Sequence, residues 1–198
     1  MKDFFIHQTA MIEKGVVLES GTKIWANSHV REGSIIGPNV TIGESVYIGP
    51  GVKIGASTKI QNGSQIYEPS IVGDGVFVGP GVILTNDKIP RAVGIDGEPK
   101  SDQDWEKSTV ILEDGCSVGA GSVCVAPVRI GRYALVAAGS VVVKDVKDYE
   151  LVAGNPAKHM GWVDEEGARL SGSQDEIYVS SAGIKFQLTP RGLRRILD

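Results

Sequence analysis

An aliphatic residue occupies every sixth position of this chain over a long run: Ile12, Leu18, Ile24, Val30, Ile36, Ile42, Ile48, Ile54, Ile60, Ile66, Val72, Val78 and Leu84. Glycine follows directly at Gly37, Gly43, Gly49, Gly55, Gly73 and Gly79. A period of six matches neither a helix nor a simple alternating strand. It predicts short strands joined by turns and wound into a parallel β-helix, an all-β solenoid. With three hexads per coil, residues 18 apart stack, and coils lie about 4.8 Å from one another. The period resumes at Leu112, Val118, Cys124, Ile130, Val136 and Val142. Leu84 and Leu112 are 28 apart, not a multiple of six, so residues 85–109 are predicted to be an excursion from the coil. A loop of that length inside a compact domain usually serves function.

The repeat domain is predicted over residues 1–159, ending in Tyr149 to Lys158, where Gly154 and Pro156 stop the coil. Residues 160–198 read as a small extension that covers the open strand edges of the prism. Within it, Glu176 to Val179 and Ile184 to Leu188 predict a hairpin turning at Ser180 to Gly183. Thr189 to Leu197 predicts a short helix with Thr189 as N-cap and Pro190 at its first position.

Composition narrows the function. The 198 residues suit one domain with an appendage. Twenty-six glycines with only 6% aromatics fit a narrow prism filled by Ile and Val. The net charge of −4 argues against general nucleic-acid or acidic-membrane partners. No signal peptide or membrane span is visible, so a cytoplasmic protein is expected. Cys116 and Cys124 are the whole cysteine supply, and Cys124 fills a core slot, which marks them as structural thiols.

The segments Lys59-Ile-Gln-Asn-Gly-Ser-Gln-Ile-Tyr67, Val76-Phe-Val-Gly-Pro80, Leu84-Thr-Asn-Asp87 with Pro90-Arg91, and Val152-Ala-Gly-Asn-Pro-Ala157 with Gly161-Trp162 together resemble one family. It is that of the left-handed parallel β-helix acyltransferases, and within it the N-acetyltransferases of UDP-2-acetamido-3-amino-2,3-dideoxy-glucuronate. The resemblance implies a homotrimer that binds acetyl-coenzyme A and a UDP-linked sugar between neighbouring prisms. Some relatives carry a cysteine-rich ribbon after Gly-Trp; here Asp164-Glu-Glu-Gly167 has none, which removes any zinc expectation for the tail.

Acyl transfer from a thioester to an amine needs an oriented, unprotonated nucleophile and a donor for the developing oxyanion. The resemblance places Asn86 at the reaction centre, where its carbonyl would orient the amine. His29 is the obvious candidate base, but it lies about three coils, roughly 14 Å, below the loop exit. A substrate contact across a subunit seam remains open to it, beside a plain packing role. Gln61, Asn62, Gln65, Tyr67 and Glu68 bring amide, phenol and carboxylate groups one coil below the exit and are candidate sugar and uracil contacts. Arg91 suits bidentate contact with phosphate or carboxylate, and Lys88, Lys100 and Lys107 add positive charge to the loop. Gly119, Ala137 and Ala138, small enough to admit a pantetheine arm, and Lys144 and Lys158, for its phosphates, are the coenzyme A candidates. No metal is expected. A γ-carbonic-anhydrase-like zinc site needs three imidazoles, whereas His7 and His159 lie at opposite ends of the repeat. A non-catalytic prism that binds nucleotide sugars is the other alternative.

Overall fold

The computed structural model describes residues 3–101, 104–174 and 176–197. Among these residues the secondary structure is almost wholly β. Two-residue strands alternate with turns and stack into three parallel faces. The first face runs from Phe5–Ile6 through Lys23–Ile24 and Lys59–Ile60 to Leu135–Val136 and Glu150–Ala153. The second runs from Met11–Ile12 through His29–Val30, Tyr47–Ile48, Gln65–Ile66 and Ile83–Leu84 to Val141–Val142. The third runs from Val17–Leu18 to Val128–Ile130. Registers follow the period: Gln65 pairs with Ile83 and Tyr47, each 18 residues away.

The physical cause is visible in each pair. The second residue points inward and is buried, as at Ile24, Val30, Ile36, Ile42, Ile48, Ile60 and Ile66, so one continuous core fills the prism. At the corners, small hydroxyl residues turn inward and find acceptors one turn onward. Ser28 Oγ donates to the Gly43 carbonyl at 2.6 Å, Ser34 Oγ to Gly49 at 2.9 Å and Ser64 Oγ to Gly79 at 2.9 Å. These buried polar groups are therefore satisfied. Gly79 shows why glycine follows the strand: a Cβ there would lie 2.6 Å from the Ala120 nitrogen of the coil above. Cys116 and Cys124 are free and buried, and burial raises both thiols, Cys124 to about 12. They pack as apolar residues.

The insertion enters and leaves at a corner without disturbing the stack. Val72 pairs with Leu112, 40 residues on instead of 18, so 22 residues are inserted between two adjacent coils. At the far end, Lys158–Trp162 folds back antiparallel onto Glu150–Ala153 and closes that edge of the first face. Beyond it, Ser171–Gln174, Ile177–Val179, Lys185–Thr189 and Gly192–Arg195 form an antiparallel meander. The hairpin turning at Ser180 to Gly183 is present, with Ser180 N donating to the Ile184 carbonyl.

The helix expected over Thr189 to Leu197 is not. Lys185–Thr189 pairs with Gly192–Arg195 instead, and Thr189 Oγ1 donates to the Gly192 carbonyl at 2.7 Å to close the turn. The extension is thus a strand cap without a helix. Proline suits the second position of a turn as well as the first turn of a helix. Docking decides between them: Gly192 bridges Asp148, Arg191 Nη2 bonds Glu113 at 2.7 Å, and Tyr149, Trp162, Phe186 and Leu193 bury a second apolar cluster.

Candidate active site

The loop leaves the prism at the corner between the second and third faces. Its neck is closed by two hydrogen bonds. Ser108 N donates to the Asn86 carbonyl at 2.8 Å, and the buried Ala126 N donates to Thr85 Oγ1 at 3.0 Å. The backbone of Asn86 is thereby fixed to the coil, while among the described residues its side-chain amide makes no hydrogen bond. Thr85 stacks over Tyr67, as Leu84 pairs with Ile66, so Glu68 lies one coil under Asn86 at the same corner. Glu68 receives Lys107 Nζ at 3.0 Å from the returning arm of the loop, and that ammonium also sits 4.9 Å from the centre of the Trp105 ring.

The loop folds over a cavity of about 490 Å³ lined by Asp87, Lys88, Ile89, Arg91, Lys100, Ser101, Asp104, Trp105, Glu106 and Ser108. It brings together three of the four loop cations singled out from sequence. Arg91 Nη1 donates to the Pro90 carbonyl at 2.8 Å and makes no ion pair among the described residues. Bonds from the Ser101 amide and hydroxyl hold the Asp104 carboxyl below its usual range.

The remaining candidates divide between two corners. Gln61 and Asn62 lie between the first and second faces, where they line a second cavity of about 240 Å³ with Trp25, Thr41 and Glu44. Asn62 Oδ1 accepts from Glu44 N at 3.0 Å, as Asp74 Oδ1 does from Ala56 N. This is a rung of corner scaffolding. Gly119, Ala137 and Ala138 sit on that same corner, higher up, where Gly119 packs against Ala138. Ala157 N donates to the Val141 carbonyl and sets Lys158 beside the top of this column. Lys144 follows Val141–Val142 and therefore belongs to the loop's corner. Gln65 is on the second face between the two corners, its Nε2 donating to the Gly63 carbonyl at 3.3 Å.

His29 stands in the column Met11, His29, Tyr47, Gln65, Ile83 of the second face, three coils below the exit, as the stacking arithmetic requires. Its Nε2 lies 2.6 Å from Glu13, which also takes Arg31 Nε at 2.9 Å. Side-chain hydrogen bonding with Glu32, then with Arg31, holds the Glu13 carboxyl down at about 2. His29, Tyr47 and Tyr67 form a ladder of ring contacts up the face toward the loop. The other two imidazoles have separate partners, His7 with Thr9 and His159 with Glu150. Among the described residues no group of three or more His, Cys, Asp or Glu is placed to hold a metal ion, and no helix is long and apolar enough to cross a membrane.

Sequence reasoning missed the neck residues Thr85 and Ser108 and the particular pairing of Lys107 with Glu68. The stacking rule could have found Thr85; nothing local marks Ser108 or fixes where a loop lysine lands.

Comparison with known proteins gives three kinds of match. The family model described as bacterial transferase hexapeptide (six repeats) matches residues 15–50 and 51–86, and that of the hexapeptide repeat of succinyl-transferase matches 109–144. Together they cover 108 of the 198 residues. Over 60 residues, 30% of this chain and 31% of the relative, the chain is 50% identical to dTDP-3-amino-3,6-dideoxy-alpha-D-galactopyranose 3-N-acetyltransferase of Aneurinibacillus thermoaerophilus. Over 64 residues, 32% of this chain and 18% of the relative, it is 44% identical to serine acetyltransferase 4 of Arabidopsis thaliana. The matched segments thus span under a third of these curated relatives. Among solved structures, GDP-perosamine N-acetyltransferase from Caulobacter crescentus, in complex with CoA and GDP-perosamine, superposes with a TM-score of 0.56 at 22% identity, covering 81% of this chain and 57% of that one. This last match concerns the fold.

Proposed function

We propose that this chain, which belongs to the bacterial hexapeptide-repeat transferases, is an N-acetyltransferase that moves acetyl from acetyl-coenzyme A to an amino group of a nucleotide-linked sugar. The observation that carries this reading is the loop neck. It ties the backbone of Asn86 to Ser108 at a corner while leaving its amide free, and the adjoining Asp87 and Ser108 line a cavity that gathers Lys88, Arg91 and Lys100. A preorganised amide is what an incoming amine and a developing oxyanion need. The gathered cations suit a diphosphate, and the planar guanidinium of Arg91 suits a carboxylate on the sugar.

The finer reading is a UDP-linked 2-acetamido-3-amino uronic acid. Support for a 3-amino nucleotide sugar comes from the half-identical segment of the dTDP-sugar 3-N-acetyltransferase, whose name gives that chemistry to that relative. Coenzyme A would lie along Gly119, Ala137 and Ala138, with Lys158 near its phosphates. That column and Asn86 are on different corners of one prism, so a complete site requires the column of one copy to meet the loop of the next. A homotrimer supplies that meeting at each of its seams, with Gln65, Tyr67 and the sugar between them. In such a site the residues themselves do the work: Asn86 orients the amine, backbone N–H groups receive the oxyanion, and the loop excludes water.

The test is mass spectrometry of reactions offering acetyl-coenzyme A with a panel of UDP- and dTDP-linked 3-amino sugars. An acetyl mass increment on a 3-amino uronic acid sugar is expected. Acetylation of none of them, or of hydroxyl sugars alone, would overturn the reading.

A further inference from the structure

We infer that the Glu68 carboxylate receives the ammonium group of the substrate, and that Lys107 fills that place until the substrate arrives. The inference rests on the reading of this site as an amine acetyltransferase.

Three observations carry it. First, Glu68 sits in the cradle that the scaffolding carboxylates use, its Oε2 close over Gly49 of the coil beneath, but Pro50 there has no N–H to give. Asp74, Asp114 and Asp148 each accept a backbone N–H of a neighbouring coil, from Ala56 at 2.7 Å, Asp74 at 3.0 Å and Arg132 at 3.1 Å, and so are scaffolding. Glu68 caps no backbone group among the described residues, and its one side-chain partner there is Lys107. Second, the Glu68 side chain is only 15% exposed, whereas that of Lys107 is 43% exposed. A carboxylate so far out of water needs a cation, and the cation it has comes from the loop. Third, Glu68 lies directly under Asn86, one strand spacing away, about 4.8 Å. Lys107 reaches Glu68 Oε1 from the loop at 3.0 Å, so an amine entering from the Asn86 side can take the same place.

The other charged or titratable groups at this corner are Tyr67, Asp87, Glu106 and Lys107, with Lys88, Arg91, Lys100 and Asp104 around the adjoining loop cavity. The corner beneath, Gly49-Pro50-Gly51, brings none. Lys107 is a primary ammonium held by a carboxylate and by the face of Trp105, the same chemistry that an aminosugar would present.

The step balances as follows. The substrate ammonium gives one proton to Glu68 and becomes a neutral amine. Its lone pair forms the C–N bond at the thioester carbonyl, and the C–S bond breaks with its electrons on sulfur. The second proton lost by nitrogen goes to that sulfur, giving coenzyme A thiol. Glu68 returns its proton to solvent.

The test compares kcat/KM against pH for the wild type, Glu68→Gln, Glu68→Asp and Lys107→Met, using the 3-amino sugar that the mass-spectrometric panel selects. Circular dichroism melts check that each variant folds. Wild type is expected to be level below the amine's pKa, because the ammonium form binds. Glu68→Gln is expected to lose about 100-fold at neutral pH and to fall tenfold for each unit below the amine's pKa, since only free amine then reacts. Glu68→Asp keeps the level profile at a lower rate, and Lys107→Met lowers the KM for the sugar several-fold by removing the competing cation. A Glu68→Gln enzyme within tenfold of wild type with the same pH profile would overturn the inference. So would a Lys107→Met enzyme with a raised KM, the signature of a strut that only holds the loop. A wild type that acetylates no amine would overturn the proposed function as well, which is a separate outcome from an active wild type indifferent to Glu68.

Discussion

The loop neck permits a quantitative test by Thr85→Val. In the folded protein the Ala126 N–H is buried, and its partner is Thr85 Oγ1 at 3.0 Å. Valine keeps the shape of threonine and removes only the acceptor, so packing at the neck is conserved while a buried donor loses its hydrogen bond. Such an orphaned group costs about 1–3 kcal/mol, more than the roughly 1 kcal/mol an ordinary bond contributes, because the donor cannot return to water. In a domain of this length each kcal/mol corresponds to about 2–4 °C in Tm. Thr85→Val is therefore expected to lower the melting temperature by several degrees and to speed hydrogen exchange at Ala126. Thr85→Ser retains the acceptor and loses a methyl group, so its exchange at Ala126 is expected to match wild type. Parallel thermal melts and amide exchange by mass spectrometry on the three proteins decide it. An unchanged Tm together with unchanged protection of Ala126 in Thr85→Val would mean that this N–H has another partner and that Thr85 does not close the neck.

Other expectations follow from the same geometry. Asn86→Ala should lower kcat by the equivalent of about 2–4 kcal/mol in barrier with little change in ligand affinity, whereas Arg91→Ala should weaken sugar binding by about 1.5–3 kcal/mol; steady-state kinetics and titration calorimetry separate the two. His29→Ala should cost less than about tenfold in turnover, given the coil spacing; a dead enzyme with wild-type affinities would show a base supplied across the seam. The Glu13 carboxyl, at about 2 when folded against an ordinary 4.5, binds its proton more weakly folded than unfolded. Its contribution to stability is thus present above pH 4.5 and lost as pH falls from there toward 2; melts of wild type and Glu13→Gln should differ at neutral pH and converge across that window. Activity is expected to survive chelation, measured as acetylation after dialysis against EDTA, and recovery only with zinc would contradict it.

Much of the fold was legible because a solenoid repeats one local rule. The hexad slots from Ile24 to Leu84 are all buried, and the loop begins where the period fails. Ile12 and Leu18 keep the period yet are only half-buried, since no more than one turn of chain lies beneath them. The tail has no such repetition. Thr189-Pro190 satisfies the start of a helix and the middle of a turn alike, and the choice rests on Gly192 meeting Asp148, a contact that no local pattern announces. The site was legible to the same degree. Counting by eighteen places Tyr67 and Glu68 under the loop exit and keeps His29 away from it. The same count sets Asn62 at 24 residues from Asn86, one coil and one hexad, and so on another corner; treating Gln61 to Glu68 as one segment passes over that phase.

Joining Asn86 to Ser108 at the neck also separates two kinds of change. Segments may be lengthened or shortened between these anchors without shifting any coil by a single residue, because the prism senses only that the two ends meet. Closure entropy grows slowly with length, about 0.6 kcal/mol for each doubling. An inherited insertion here is therefore nearly free for the core, while a deletion of one residue inside a hexad would turn every later side chain out of its slot. The loop of such a chain can change its length and side chains on a scaffold that is not permitted to move.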